Sequence, residues 1–330
     1  MRFTIIIPAY NAECYLGECL RSVTAQTFRD FEVVAVDDGS SDGTAAVLDA
    51  FAADNSAVKV LHGPNQGPFL ARRRGLLHAV GKYVVFLDAD DCLRPDALEL
   101  VSRAIDETDA DIVSFNYSRK ADYSEPDKSA PLEPGLYSDG RYQLIREHIC
   151  RGRFNNLCGK AIRLCRIDIH VTYGAFKGLM HGEDLFQLLP IVDECSSLVH
   201  LGDSLYFYRP NDASSTARYR PSQLADIVKV NRRLLNYADK WGGECPIFAR
   251  TGEANQYFYL VKISELSDAG DADKAANFES ICTAARMEGA FGRIHSVRLR
   301  PDNRVLAFAM ERGWRGLARA VVLVVEAMKR

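Results

Sequence analysis

Five short apolar runs separated by segments of helical spacing occupy the first 117 residues, and no other feature narrows the fold so far. The runs FTIII (3–7), FEVVAV (31–36), VKVLH (58–62), KYVVFL (82–87) and DIVSF (111–115) are continuous apolar or β-branched stretches. Strands covered on both faces read this way, because neither side meets water. Helical spacing falls between them at 13–24, at 44–53 and from Pro95 to about Asp106, with Asn11 and then Ser41 or Asp42 as expected N-caps. The alternation predicts βαβ units: an α/β fold with a mostly parallel central sheet flanked by helices. Right-handed crossovers then bring the loops that follow the strands to one edge of the sheet, where ligands bind in open α/β folds.

Beyond this region, SRKADYSEPDKSAPLEPGLYSDG (118–140) is rich in Pro, Ser and charge and reads as an excursion from the sheet. GEDLFQLLPIV (182–192) predicts a helix entered through Gly182, followed by strand-like SLVHL and SLYFY. After NDASST (211–216) long helical patterns take over, so the expected domains are 1–216 and a C-terminal α-helical appendage over 217–330. Composition excludes several classes. With 41 Lys+Arg against 44 Asp+Glu the net charge is −3, which gives no global basis for nucleic-acid binding. Nine cysteines, scattered singly without CxxC or Cys/His ligand spacing, disfavour a disulfide framework and a zinc site, and suit a reducing cytoplasm. The apolar run near the N-terminus stops at Pro8, too short for a signal peptide, and LARAVVLVVEAM is too short and too interrupted to span a membrane.

The loops after the strands carry the chemistry: PAYN (8–11), DDGSSDGT (37–44), GPNQGP (63–68) and DADD (88–91). Asp88, Asp90 and Asp91 end an apolar strand, so carboxylates reach the open edge. Such oxygens, with substrate phosphate oxygens, can hold Mg2+ or Mn2+; they can also cap the helix that begins near Pro95. An EF-hand is excluded by Leu93, where its sixth position needs glycine. In DDGSSDGT a carboxylate can accept a hydrogen bond from the imide N–H of a base such as uracil, or cap an ordinary βα turn. Neither G-x-G-x-x-G nor GxxxxGK[ST] is present, so a Rossmann dinucleotide site and a P-loop lack support. QGPFLARRRG (66–75) places Arg72, Arg73 and Arg74 at a helix start, where the helix dipole disfavours cations; at least one is expected to face an anion.

Together these segments resemble the inverting family-2 glycosyltransferases of GT-A fold over residues 1–215, through IIIPAYNAECYLGECLRSVTAQTFRDFEVVAVDDGSSDGT, NQGPFLARRRG, YVVFLDADDCLRPDALE, GEDLFQLL and YFYRPNDASST. The resemblance implies a Rossmann-like nucleotide-binding half, with Pro8, Ala9, Tyr10, Asn11 and Asp38 around the uridine. Gly67, Arg72, Asp88 and Ala89 join the nucleotide site, Asp90 binds Mn2+ or Mg2+ on the diphosphate, and Asp184 is the catalytic base, with Glu183 its neighbouring candidate. Successive helical residues point about 100° apart, so only one of the two is expected to face the sugar. His181 and Arg209 are further candidates for diphosphate or acceptor contacts, Arg209 with Tyr208, Ser214, Ser215 and Thr216 closing over the diphosphate. One departure stands out: Arg73 occupies the Asn position of the family's A-R-N-x-G.

The implied partners are a nucleotide-sugar, most simply a UDP-sugar, and a glycan or lipid-linked acceptor at the cell envelope. Residues 286–330 hold ten Lys+Arg against four acids, a local +6 within the chain total of −3. Trp314, Leu317, Ala318, Val321, Val322 and Val325 form one helical stripe, with Arg312, Arg315, Arg319, Glu326 and Arg330 on another face. Such a helix can lie on an anionic membrane surface, at the inner face of the plasma membrane, or pack on its own protein. Competing readings fit less of the chain. A haloacid-dehalogenase-type phosphatase needs Thr or Val where Cys92 stands, and a sugar-1-phosphate nucleotidyltransferase needs a glycine-rich basic loop where PAYN stands. A catalytically inactive sugar-nucleotide-binding partner is the alternative from a different class.

Overall fold

A computed structural model of the chain describes residues 1–126, 132–170, 179–210, 219–291 and 299–328. The backbone divides into two compact units, Met1–Ile145 with Arg153–Pro210, and Arg146–Gly152 with Asn211–Arg330. The boundary expected after residue 216, together with Ser214, Ser215 and Thr216, lies outside the described residues, as does Arg330.

In the first unit the apolar runs become β1 (Phe3–Ala9), β2 (Phe31–Asp37), β3 (Val58–His62), β4 (Tyr83–Phe86) and β6 (Ile112–Ser118), after a two-residue β5 (Cys92–Leu93). Ile5, Ile6 and Ile7 are all 0% exposed, so β1 is covered on both faces. Each such side chain contributes about 1.5–3 kcal/mol by leaving water. Between the strands lie α1 (Glu13–Thr24), α2 (Thr44–Asp54), α3 (Pro68–Leu76) and α4 (Ala97–Thr108). The later elements are β7 (Gly135–Ser138), α5 (Gln143–Cys150), β8 (Lys160–Arg163), α6 (Glu183–Glu194) and β9 (Ser197–Phe207).

The sheet runs β3-β2-β1-β4-β8-β6-β9-β5, with β7 on β9. The parallel arrangement expected from the sequence holds for β3-β2-β1-β4, where β1 pairs in register with both β2 and β4. Beyond β4 the sheet is mixed, because β8 enters antiparallel to both β4 and β6. SLVHL and SLYFY form one strand rather than two. β9 passes through Gly202 and Asp203 without ending, and its parallel register with β6 slips there instead.

The expected caps are corrected in detail. Ala12, not Asn11, is the N-cap of α1, and Gly43, not Ser41 or Asp42, that of α2. Asn11 adopts left-handed backbone (φ 48°), which an Asn tolerates, and its Oδ1 accepts from the Ser41 N–H at 2.8 Å. The helix starts then cap each other. Asp42 accepts from the Glu13 N–H at 3.2 Å, Glu13 from the Gly43 N–H at 2.9 Å, and Thr44 Oγ1 from the Ala12 N–H at 2.8 Å.

The second unit holds α7 (Pro221–Trp241), α8 (Cys245–Glu265), α9 (Asp271–Met287), α10 (Pro301–Glu311) and α11 (Arg315–Ala327). Its core includes Ile227, Tyr257, Val261, Ile281, Leu306 and Met310. The apolar stripe of α11 packs into this core: Ala318 and Val322 are buried, Leu317 and Val321 partly so, whereas Trp314 is 51% exposed. The basic face is largely paired, Arg315 with Glu265 and Asp271 and Arg319 with Asp271, while Glu326 meets Lys262. Among the described residues, no helix is long and apolar enough to cross a membrane.

Candidate active site

The centre of the candidate site is a cation. Arg72 lies in the middle of α3, only 4% exposed, and its guanidinium reaches three carboxylates from two other segments. One terminal nitrogen donates to Asp88 at the end of β4 at 2.8 Å; the other donates to Asp184 on α6 at 2.8 Å and lies 3.9 Å from Glu183. Burial works against this charge, but Asp184 and Asp88 more than restore it. The anion expected to face the arginine run is thus the protein's own pair of site carboxylates. Glu183 and Asp184 are the first two residues of α6, entered through left-handed Gly182 (φ 76°). Both approach Arg72, Asp184 closely and Glu183 at the edge of ion-pair distance. Burial first and the Asp184 charge second push Glu183 up to about 7.

The segment before β8 completes this cluster. The Leu157 N–H donates to Asp184 Oδ2 at 3.1 Å, and the Cys158 thiol donates to Asp88 Oδ2 at 3.1 Å. Neither residue carried a sequence signal, since a backbone amide has no side-chain signature and a single Cys is ordinarily a small core residue. Asp91 is 1% exposed; it accepts from Tyr206 Oη at 2.7 Å and from the Arg209 N–H at 2.8 Å. Burial, then the Asp88 charge, push it up to about 8. Arg209 donates to the Asp90 carbonyl at 2.8 Å and to Glu18 at 2.7 Å, so it stands beside the acidic run and pairs within the protein. Tyr206 was not foreseen as a site residue, since it reads as one of a strand's alternating apolar positions.

The nucleotide-binding candidates gather at the same edge. Pro8 and Ala9 end β1, and the Ala9 carbonyl accepts from the Asp38 N–H at 2.8 Å. Tyr10 is 52% exposed, and Ala89 is buried. Asp38, 2% exposed, accepts from the Gln66 N–H at 3.1 Å and the Gly67 N–H at 2.7 Å, with Arg74 at 3.9 Å. Its carboxylate therefore holds the 63–67 loop, a task the sequence did not reveal; burial raises its pKa above the usual carboxylate value. Gly67 sits at φ 87°, which favours glycine. Burial would raise Asp37 too, but hydrogen bonds from Ser40 and His62 outweigh it. His181 is half-buried just before α6.

These residues fit a cation shared with a diphosphate better than a protein-only cage. Asp88, engaged by Arg72 and Cys158, and Asp90 are both half-buried, whereas Asp91, held by Tyr206 and Arg209, is buried. One protein carboxylate with phosphate oxygens is a usual Mg2+ or Mn2+ arrangement. Among the described residues no group of three His, Cys, Asp or Glu could hold a metal by itself.

The sequence profile of Glycosyl transferase family 2 matches residues 4–169. The glycosyltransferase GlyG of Streptococcus pneumoniae is 28% identical over 239 residues, 69% of this chain and 77% of that protein. The uncharacterized glycosyltransferase EpsJ of Bacillus subtilis is 30% identical over 250 residues, 73% of this chain and 72% of that one. Among solved structures, S. aureus TarS 1-349 shares the fold with a TM-score of 0.71 at 20% identity, over 99% of this chain and 92% of that chain, and it has also been solved with UDP-GlcNAc. With β3-β2-β1-β4 and the carboxylates at its open edge, the chain belongs to glycosyltransferase family 2 and is a glycosyltransferase of GT-A fold.

Proposed function

We propose that the protein transfers a sugar from a UDP-sugar, with UDP-GlcNAc the first to test, to a hydroxyl of a glycan or lipid-linked glycan acceptor, inverting the anomeric centre. One observation carries the reading: a single buried guanidinium joins Asp88, from the run that meets the diphosphate, to Asp184, the candidate base. In the reaction the acceptor oxygen bonds to the anomeric carbon as the bond from that carbon to the β-phosphate oxygen breaks. The leaving electron pair stays on UDP, and the acceptor proton passes to a carboxylate. Asp184 takes that proton in this reading, its orientation fixed by Arg72 and the Leu157 N–H. Asp90 would hold Mn2+ or Mg2+, whose chemistry is to neutralise charge gathering on the diphosphate. UDP comes from the family resemblance and from TarS, which was solved with UDP and with UDP-GlcNAc. Pro8 to Asn11 with Asp38, Gly67 and Ala89 would form the nucleoside wall, and His181 and Arg209 would meet diphosphate or acceptor.

The proposed division of labour places catalysis in residues 1–216 and an accessory role in 217–330. Contact with an anionic membrane surface, at the inner face of the plasma membrane, would rest on the exposed Leu323, Val324 and Met328 of the last helix and its C-terminal end, since Arg315 and Arg319 are paired. The test pairs calorimetry with turnover. Asp184→Asn should lower turnover by ~10²–10⁴ while UDP-sugar binding persists. Wild-type turnover in that variant would remove Asp184 from the role, and a wild-type protein that no UDP-sugar stabilises in thermal melts would overturn the donor class.

A further inference from the structure

Lys160 is an anomaly in the fold. It lies on β8 with 1% of its surface exposed, paired in register with Ser114 of β6, which in turn pairs with His200 of β9. An ammonium is costly to bury, and lysine is almost never fully buried unless paired. Its Nζ donates to the Asn156 carbonyl and to Asn156 Oδ1, at 3.0 Å in the second case, and lies 3.9 Å from the centre of the Phe154 ring. Burial lowers it to about 7, against the pull of the Cys158 and Asp184 charges. Its hydrogen bonds go to one residue, and that residue belongs to the segment that serves the site.

From Asn156 the connection to the candidate chemistry is short. Asn156 Nδ2 donates to the Cys158 carbonyl at 3.1 Å, which folds the segment back on itself. The residue between them, Leu157, gives its N–H to Asp184, and Cys158 gives its thiol to Asp88. We propose that Lys160 is a positioning residue for sugar transfer, its ammonium clamping Asn156 so that Leu157 and Cys158 hold Asp184 and Asp88 in their working orientation around Arg72. This rests on the reading of Asp184 as the base, and it assigns a task to a residue that touches neither donor nor acceptor. A misplacement of a reacting group by about 1 Å can cost ~10²-fold in rate, which sets the expected scale.

The experiment compares Lys160→Met, which keeps the stem and deletes the charge, with Lys160→Arg, which keeps a donor. Hydrolysis of UDP-GlcNAc in Mn2+ gives kcat and KM, and calorimetry with UDP counts binding sites. Iodoacetamide labelling followed by mass spectrometry gives the rate at Cys158, with buried Cys282 of the second unit as the internal reference. Lys160→Met should lower kcat ~10²-fold with donor KM and UDP stoichiometry unchanged, and Lys160→Arg should recover most of it. Labelling of Cys158 should accelerate while Cys282 stays slow, because local opening exposes only the segment. The proposal is overturned if Lys160→Met keeps kcat within about threefold, if UDP sites are lost in proportion to kcat, or if Cys158 labels no faster. Should the wild-type protein hydrolyse no UDP-GlcNAc, that sugar is removed as the donor, and the Cys158 rate still decides the clamp.

Discussion

Two pairs of aspartates stand at and after the ends of β2 and β4, the strands that flank β1, and they are spent differently. In the turn after β2, Asp38 accepts backbone amides from Gln66 and Gly67, and Asp37 accepts the Ser40 amide with His62 alongside. In the run after β4, Asp88 and Asp91 accept chiefly from the side chains of Arg72, Cys158 and Tyr206, which stand 16, 70 and 115 residues away from their acceptors. A carboxylate bonded to amides shapes a loop. One bonded to a buried guanidinium and a thiol is a charge kept beside another charge, ready for chemistry.

The largest expected effect falls on the second pair. Arg72→Met leaves Asp88, Asp184 and Glu183 facing one another without a counter-charge, and loss of one partner of a buried ion pair costs about 3–5 kcal/mol. Urea unfolding measures it, and a cost below about 1 kcal/mol would mean that the cluster is solvated like a surface bridge. Next, Asp90→Ala should reduce turnover ~10²–10³-fold, as loss of one charge-stabilising group does. Full activity in excess EDTA would break the assignment of that residue to a cation. Asp38→Ala probes the first pair, with alanine rather than asparagine because an asparagine oxygen would still accept both amides. It should cost about 1–3 kcal/mol through unsatisfied Gln66 and Gly67 amides and leave the Asp184 chemistry in place. A selective collapse of kcat with stability intact would erase the contrast.

The smallest change sharpens the second pair instead. Glu183 has its ordinary carboxyl value of 4.5 raised to about 7 by burial and Asp184, so the folded protein holds that proton more tightly than the unfolded chain. Between those values the native state binds more protons, and this group's contribution to stability declines as pH rises through the window. Glu183→Gln should flatten that slope in unfolding curves collected across the window. Turnover should fall less than about tenfold, against ~10²–10⁴ for Asp184→Asn. The reverse order would make Glu183 the base.

The first four strands and the loops that follow them were legible because parallel strands buried on both faces leave unbroken apolar runs. Lys160–Arg163 was not, since a strand of four residues beginning with lysine carries no such run; with it went the antiparallel turn of the sheet. The site was legible where function demands charge, at Arg72, Asp88 and Asp184. It was opaque where a backbone amide, a tyrosine hydroxyl or a thiol contributes, because those groups acquire direction only from the fold. The α11 stripe shows the opposite case: its periodicity was plain, but pattern alone does not say which surface receives it, and α11 packs on its own helical unit.

The reciprocal ties between the loops after β1 and β2 make the two inseparable as units of exchange. The amides of Asn11, Ala12 and Glu13 on one side, and of Ser41 and Gly43 on the other, are satisfied across the two loops, so neither loop contains its full set of partners. Transplanting either loop alone from a relative would leave unpaired donors on both helices, whereas moving the two as a matched set preserves every bond. Variation in these two loops is therefore expected to come in correlated steps, both at a time.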